Sequence, residues 1–278
     1  MYTMLRFPGF LRKAVTLSYD DGVIFDRRLI DIMNQHGLKG TFNINSELFS
    51  PAGIRQGRRL TQEEAWQLYS NSGHEIAVHG AKHLSLAAVN TSAVVRDVLV
   101  DRENLEKLFG CIIQGMAYAN GSYNDEVVDI LEKCGIHYSR TTKSTESFDV
   151  PTDWLRLPAT CHHKNPRLME LAKSFVETTD VASMWRNRPM LFYLWGHSYE
   201  FNDDDNWDVI EEFAAYIGNR PDIWYATNGQ IYDYVQAFTR LQYSADGSLI
   251  YNPSSCDVYL NYYKKEIIVP AGKTVAGR

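Results

Sequence analysis

Short apolar runs rich in β-branched and aromatic residues alternate with amphipathic stretches of helical period along most of this chain. No other feature narrows its fold so far. The first run, AVTLSY at 14–19, ends on Asp20, Asp21 and Gly22. Residues 27–36 follow with Leu29, Ile30, Ile32 and Met33 at helical spacing, and Gly37 stands where a left-handed cap would close the helix. The run GTFNIN at 40–45 reads as the second strand. Thr61 then opens a helix reaching Gly73, with Glu64 placed to complete a capping box. A strand at 75–78 leads straight into His79, and 91–109 is one long helix closed by Gly110. Further strands are expected at 115–119, 137–140, 190–195 and 223–226, with helices at 125–134, 165–178, 208–218 and 229–238.

Strand followed by helix, about seven times in succession, calls for a parallel sheet with helical crossovers. Open doubly wound sheets and closed barrels both satisfy that pattern, and the polar residues discriminate between them. Asp20, Asp21, Asn45, His79, Asn120 and His197 each fall just past the C-terminal end of an expected strand. A closed barrel gathers such residues at one mouth, whereas an open sheet spreads them along a crevice. The expectation is an α/β chain with a closed barrel over residues 1–240. Beyond Leu241 the texture becomes alternating runs broken by Asp246-Gly247, Pro253 and Ala271-Gly272, which reads as a small β extension over 241–278.

Composition limits the partners. With 278 residues, 45% of them hydrophobic, the chain can bury a large core and is not disordered. Its 34 acidic and 28 basic residues give a net charge of -6 without a long run of either sign, which offers no footprint for nucleic acid or an anionic membrane. Cys111, Cys134, Cys161 and Cys256 form no CxxC pair, so neither a thiolate zinc site nor a disulfide framework is expected. The opening stretch is interrupted by Pro8 and Gly9 and has no continuous apolar core. As it stands the chain is expected in the cytoplasm, or exported if a leader has been removed. Its oligomeric state is not legible.

His79 and His83 lie four residues apart directly after a strand, a spacing that lets two imidazoles share a metal. Asp20 and Asp21, adjacent carboxylates behind an apolar run, are costly there unless a cation or hydrogen bonds hold them. Two imidazoles and one carboxylate leave coordination positions open, the pattern of a catalytic divalent ion.

These segments resemble the polysaccharide deacetylases, the NodB-homology or carbohydrate esterase 4 group. The stretch from Thr16 to Gly22, TLSYDDG, looks like that family's TFDDG motif. HGAKH at 79–83 is similar to its HxxxH motif, and LWGHS at 194–198 resembles its late strand ending in histidine. The resemblance covers roughly residues 13–238 and implies a distorted (β/α)7 barrel that removes acetyl groups from N-acetylated, sometimes O-acetylated, sugars. It implies one divalent ion on Asp21, His79 and His83, zinc first, with cobalt or nickel as alternatives. Asp20 would be the general base and His197 the general acid.

One departure stands out. The family's third motif, R-x-P-[YW] before a glycine, maps onto Ala117-Tyr118-Ala119-Asn120-Gly121, so the arginine that orients the base is Ala117 here. Arg140, after the next strand, is the candidate to replace its charge, and the backbone N–H of Asn120 would take the oxyanion position. The fourth motif best matches Asp153-Trp154, which reads equally well as a turn with a core tryptophan. His162 and His163 are candidates for binding substrate or metal, or are plain loop residues. One acid among Glu200 and 203–205 could orient His197. Tyr123, Trp195 and Tyr199 are candidate sugar platforms, with packing the safer reading for Trp195. Two other functions fit the same residues less closely: an allantoinase-like amidohydrolase of small amides or cyclic ureides, and a non-catalytic carbohydrate-binding descendant.

Overall fold

The computed structural model describes residues 2–179 and 187–277. Its centre is a parallel sheet of β1 (Lys13–Asp20), β2 (Gly40–Ile44), β3 (Glu75–Val78), β4 (Gly115–Ala117), β5 (Tyr138–Ser144), β6 (Leu157–Ala159), β7 (Cys161–His162) and β8 (Met190–Gly196). Neighbours run β1-β2-β3-β4-β5-β6 on one side and β1-β8-β7 on the other. The single residue between β6 and β7, Thr160, donates its N–H to Tyr193 O of β8. β6 and β7 are therefore one interrupted strand that lies against β5 by its first half and β8 by its second, and the sheet closes as a seven-membered ring. This is the distorted NodB-type (β/α)7 barrel.

Every residue of β1 is buried: Val15, Leu17 and Tyr19 join the main core, while Thr16 and Ser18 on the other face hydrogen-bond Asn228 and Asn43. The short β9 (Ile223–Tyr225) pairs with Lys13 to Val15 of β1, below the stretch that pairs with β2. β2 and β9 thus occupy one edge of β1 in tandem, a local distortion of the ring.

Helices α1 (Asp26–Gln35), α2 (Gln62–Tyr69), α3 (Thr91–Phe109), α4 (Asp125–Lys133), α5 (Leu168–Glu177), α6 (Ser198–Asp203), α7 (Asp208–Ile217) and α8 (Asn228–Thr239) follow the strands. Thr61 forms its capping box with Glu64, a contact worth about 1 kcal/mol. The main core packs strand residues such as Val15, Leu17 and Phe42 against Leu29, Met33, Val98 and Phe213 of the helices.

The C-terminal residues form two small antiparallel sheets. One joins Val258–Tyr262 and Lys265–Val269 to Leu5–Arg6 from the other end of the chain. The second holds Gln242–Tyr243, Leu249–Tyr251 and Thr274–Ala276. Leu5–Arg6 thus pairs antiparallel with residues from the far end of the chain. No helix among the described residues is long and apolar enough to cross a membrane.

Candidate active site

Parallel strands deliver their C-terminal ends to one mouth, and the ends of β1, β3 and β8 bring Asp20, Asp21, His79 and His197 together there. Asp21 follows β1 with φ at 84°, a left-handed conformation costly for any residue but glycine. That turn points its Oδ1 to within 3.5 Å of His83 Nε2 and 4.0 Å of His79 Nε2. The two imidazoles pack edge to face with centroids 4.9 Å apart. One ligand atom from each of Asp21, His79 and His83 lies within 4.8 Å of the others.

The surroundings of His79 fit a metal ligand. Its Nδ1 lies 2.9 Å from Ala117 O, and a carbonyl only accepts, so Nδ1 carries the proton and Nε2 offers its lone pair to the cluster. Burial holds its pKa below the usual histidine range, which keeps the ring neutral and able to ligate. The HGAKH turn is fixed from behind. Asp101 of α3 accepts from His79 N at 2.9 Å, and Asp97, one turn earlier, accepts from Lys82 N at 2.9 Å. Gly80 has φ at 79°, and a Cβ there would collide with the Asp97 carboxylate. Asn45 Nδ2 donates to His79 O at 2.9 Å and Gly80 O at 2.7 Å.

Asp20 is buried beside this cluster. Asn43 Nδ2 donates to its Oδ1 at 2.8 Å, and Arg140 Nη2 donates to its Oδ2. His79 Nε2 and His197 Nε2 stand 3.8 and 3.9 Å from the same Oδ2. Burial alone would push the Asp20 pKa up, but Arg140, His79 and His197 together bring it down to about 2.

Arg140 is fully buried, with its guanidinium 4.3 Å over the Trp195 ring. It is the register partner of Ala117 across β4 and β5. The positive charge facing Asp20 thus comes from β5, one strand over from Ala117.

His197 begins α6 just after β8. Its Nδ1 lies 3.0 Å from Glu200 Oε2, which also accepts from His197 N at 3.2 Å. Burial lowers the His197 pKa, but the Glu200 hydrogen bond and the nearby carboxylates raise it above the usual value overall. Glu200 Oε2 also faces His162 Nε2 at 3.2 Å and His163 Nε2 at 3.3 Å. Those two hydrogen bonds from His162 and His197 hold its acidity far on the anionic side despite burial. These three groups have metal-like spacing as well. However, His162 Nδ1 accepts from Lys164 N at 3.1 Å, which puts the proton of the neutral ring on Nε2. His162 therefore reads as a donor to Glu200, not a ligand. His163 is 2% exposed, and only a glycine at 196 leaves room for its ring.

The other expected residues are placed as follows. Tyr199 lies 5.1 Å from the His197 ring, with the Arg58 guanidinium 4.8 Å over its face. Tyr123 is half-buried and stacks on Tyr118 at 4.8 Å. Asn120, with φ at 57°, follows β4 and donates its side-chain amide to Ser85 Oγ at 3.0 Å. Trp154 stands apart from the mouth. It packs edge-on against Tyr232 of α8, and its O accepts from Ser139 N, near the start of β5. Asp153 lies beside it and pairs with Arg156. The sequence reading missed Asn43, Arg59, Asp97 and Asp101. The two aspartates carried a legible signal, since they lie four apart on the apolar face of α3.

No curated protein sequence matches the chain. Among solved structures, a putative polysaccharide deacetylase from Mycobacterium smegmatis is similar over 85% of this chain and 94% of its own, at 16% identity and TM-score 0.57. A family 4 carbohydrate esterase from Streptomyces lividans, in complex with acetate, is similar over 77% and 92%, at 12% identity and TM-score 0.51. A deacetylase from Streptococcus pyogenes, also in complex with acetate, matches at 20% identity and TM-score 0.48, over 55% of this chain. That match spans 66% of the Streptococcus pyogenes protein, just under two thirds. The likenesses are of fold. Residues 9–139, which carry Asp20, Asp21, His79 and His83, match the sequence profile of polysaccharide deacetylases.

Proposed function

We propose that this chain is a metal-dependent carbohydrate deacetylase, hydrolysing the acetyl amide of an N-acetylated sugar or the ester of an O-acetylated one. The observation that carries the reading is a three-residue ligand set, Asp21, His79 and His83, flanked by a carboxylate and an imidazole that face each other 3.9 Å apart. Two neutral imidazoles and a carboxylate suit zinc, with cobalt or nickel able to take the same donors. A divalent ion on this set would polarise the acetyl carbonyl and acidify a water molecule.

The chain's own groups supply the proton traffic. Asp20, kept anionic by Arg140, accepts a proton from the attacking water. Arg140 serves this base rather than the sugar, since it is wholly buried on Asp20. His197 hands its Nδ1 proton to Glu200 in a hydrogen bond, so the Nε2–H of its charged form is free to protonate the departing amine. The Asn120 backbone N–H is assigned the oxyanion position by the family resemblance. Tyr123, Tyr199 and His162, the half-buried groups around the mouth, are the candidate sugar contacts.

The test is a substrate panel on the zinc-reconstituted protein, comparing N-acetylglucosamine oligomers, O-acetylated sugar and a cyclic ureide. Acetate release from the sugars with an intact ureide supports the reading. Ureide hydrolysis without acetate release would move the chain to the amidohydrolases. Binding of oligomers without any turnover would make it a carbohydrate-binding descendant.

A further inference from the structure

Among the described residues no backbone hydrogen bond runs directly from the loop after β1 to the loop after β3, yet the two must keep Asp21 and the two histidines in register. A side chain from a third segment joins them. The stretch before α2 is zipped to the loop after β1: Val23 bridges Arg59, and Ile24 N donates to Arg58 O at 2.9 Å. That pairing delivers the Arg59 guanidinium to the mouth. Its Nη1 donates to the main-chain O of Asp21 and lies 3.2 Å from Asn45 Oδ1, and its Nη2 lies 3.5 Å from Asp21 Oδ1. Asn45 in turn uses its amide nitrogen to hold His79 O and Gly80 O.

We propose that Arg59 is a positioning residue for the metal site, a clamp that locks the left-handed Asp21 turn to the His79-Gly80 turn through Asn45. The inference rests on Asp21, His79 and His83 being the metal ligands. Its physical content is pre-organisation. Asp21 sits in a conformation that the backbone alone disfavours, and a fixed donor on its carbonyl keeps that conformation populated before the ion arrives. A planar guanidinium reaches two acceptors on different loops through a rigid fork, whereas a lysine ammonium carries its three donors on a compact head at the end of a flexible stem. Charge alone would act in the opposite direction, because a cation this close to Asp21 repels a divalent ion. Geometry and charge are therefore separable by substitution. Arg59→Lys keeps the charge and removes the clamp, and Arg59→Gln removes both.

The experiment measures the zinc dissociation constant of the full chain by competition with a chromophoric chelator, with fold checked by circular dichroism. Outer partners of metal ligands typically contribute about 10- to 100-fold in affinity, and that is the loss expected for Arg59→Lys. Arg59→Gln should lose less than Arg59→Lys, because relief of repulsion offsets part of the lost geometry. If the lysine protein fails to fold, a weakened zinc constant in the glutamine protein still supports the clamp. Wild-type affinity in either folded variant, or full rescue by lysine, would overturn it. A wild-type protein that binds no zinc would instead remove the metal reading on which the clamp depends.

Discussion

Arg140 and Asp20 are 120 residues apart in the chain, yet the guanidinium of one donates directly to the carboxylate of the other inside the barrel. The arginine stands in register beside Ala117, which the resemblance to polysaccharide deacetylases aligns with that family's motif arginine. A buried charge pair of this kind constrains both partners, since losing either leaves the other uncompensated. Arg140→Met should therefore destabilise the fold by about 3–5 kcal/mol. It should also let the Asp20 pKa rise from about 2 by roughly 1–3 units. A higher pKa means the base is protonated at higher pH, so the acid limb of kcat/KM should move upward. A limb that stays in place would show that Arg140 does not set the charge of Asp20.

His197→Ala separates an acid role from a structural one. An amine leaves poorly unless protonated, so deacetylation of an N-acetyl sugar should fall by about 10²- to 10⁴-fold. An aryl acetate, whose phenolate departs unaided, should be hydrolysed at close to the wild-type rate. Equal losses on both substrates, with the fold intact, would count against the acid assignment.

Glu200→Gln probes the same imidazole from the other side. Burial lowers the His197 pKa, and the Glu200 hydrogen bond raises it by favouring the charged ring. Without it the acid form is lost at lower pH, and the alkaline limb of the rate profile should move down. An alkaline limb unchanged in the variant would assign that limb to another group.

Asp26 gives a prediction about stability. It is buried at the start of α1, accepts from Ser198 Oγ, Tyr69 Oη and Val23 N, and burial pushes its pKa up to about 7. The folded protein then holds a proton that the unfolded chain releases near pH 4. Between those values the folded state binds more protons, so this contribution to stability falls as pH rises from about 4 to about 7. Asp26→Asn removes the effect. Relative to the variant, the wild type should lose stability across that window in urea melts. Parallel curves would show that Asp26 does not titrate in it.

Much of the barrel was legible because buried parallel strands announce themselves. The run 14–19 is short, β-rich and buried throughout, and the long helix at 91–109 has the span that its capping asparagine and closing glycine mark. β6 and β7 were not legible. Pieces of three and two residues, one of them containing Pro158, leave no period to read, and their strand character comes from the neighbours that flank them. Asp20, Asp21, His79 and His197 stood out because polar residues at strand ends are conspicuous in sequence. Arg59 and Asn43 did not, since their work is done through contacts that only the closed barrel creates. For Trp154, sequence supports a site motif and a core tryptophan equally, and the side chain packs edge-on against Tyr232.

On the proposed reading, Asp21, His79 and His83 hold the ion on which acetyl hydrolysis depends. The most direct measurement pairs zinc stoichiometry with acetate release from N-acetylglucosamine oligomers, for the wild type and the His79→Ala/His83→Ala double variant. The prediction is about one zinc per wild-type chain, acetate release abolished by chelation and restored by zinc, and neither zinc nor turnover in the folded double variant. Full zinc occupancy in the double variant, or acetate release that survives the loss of both histidines, would contradict it.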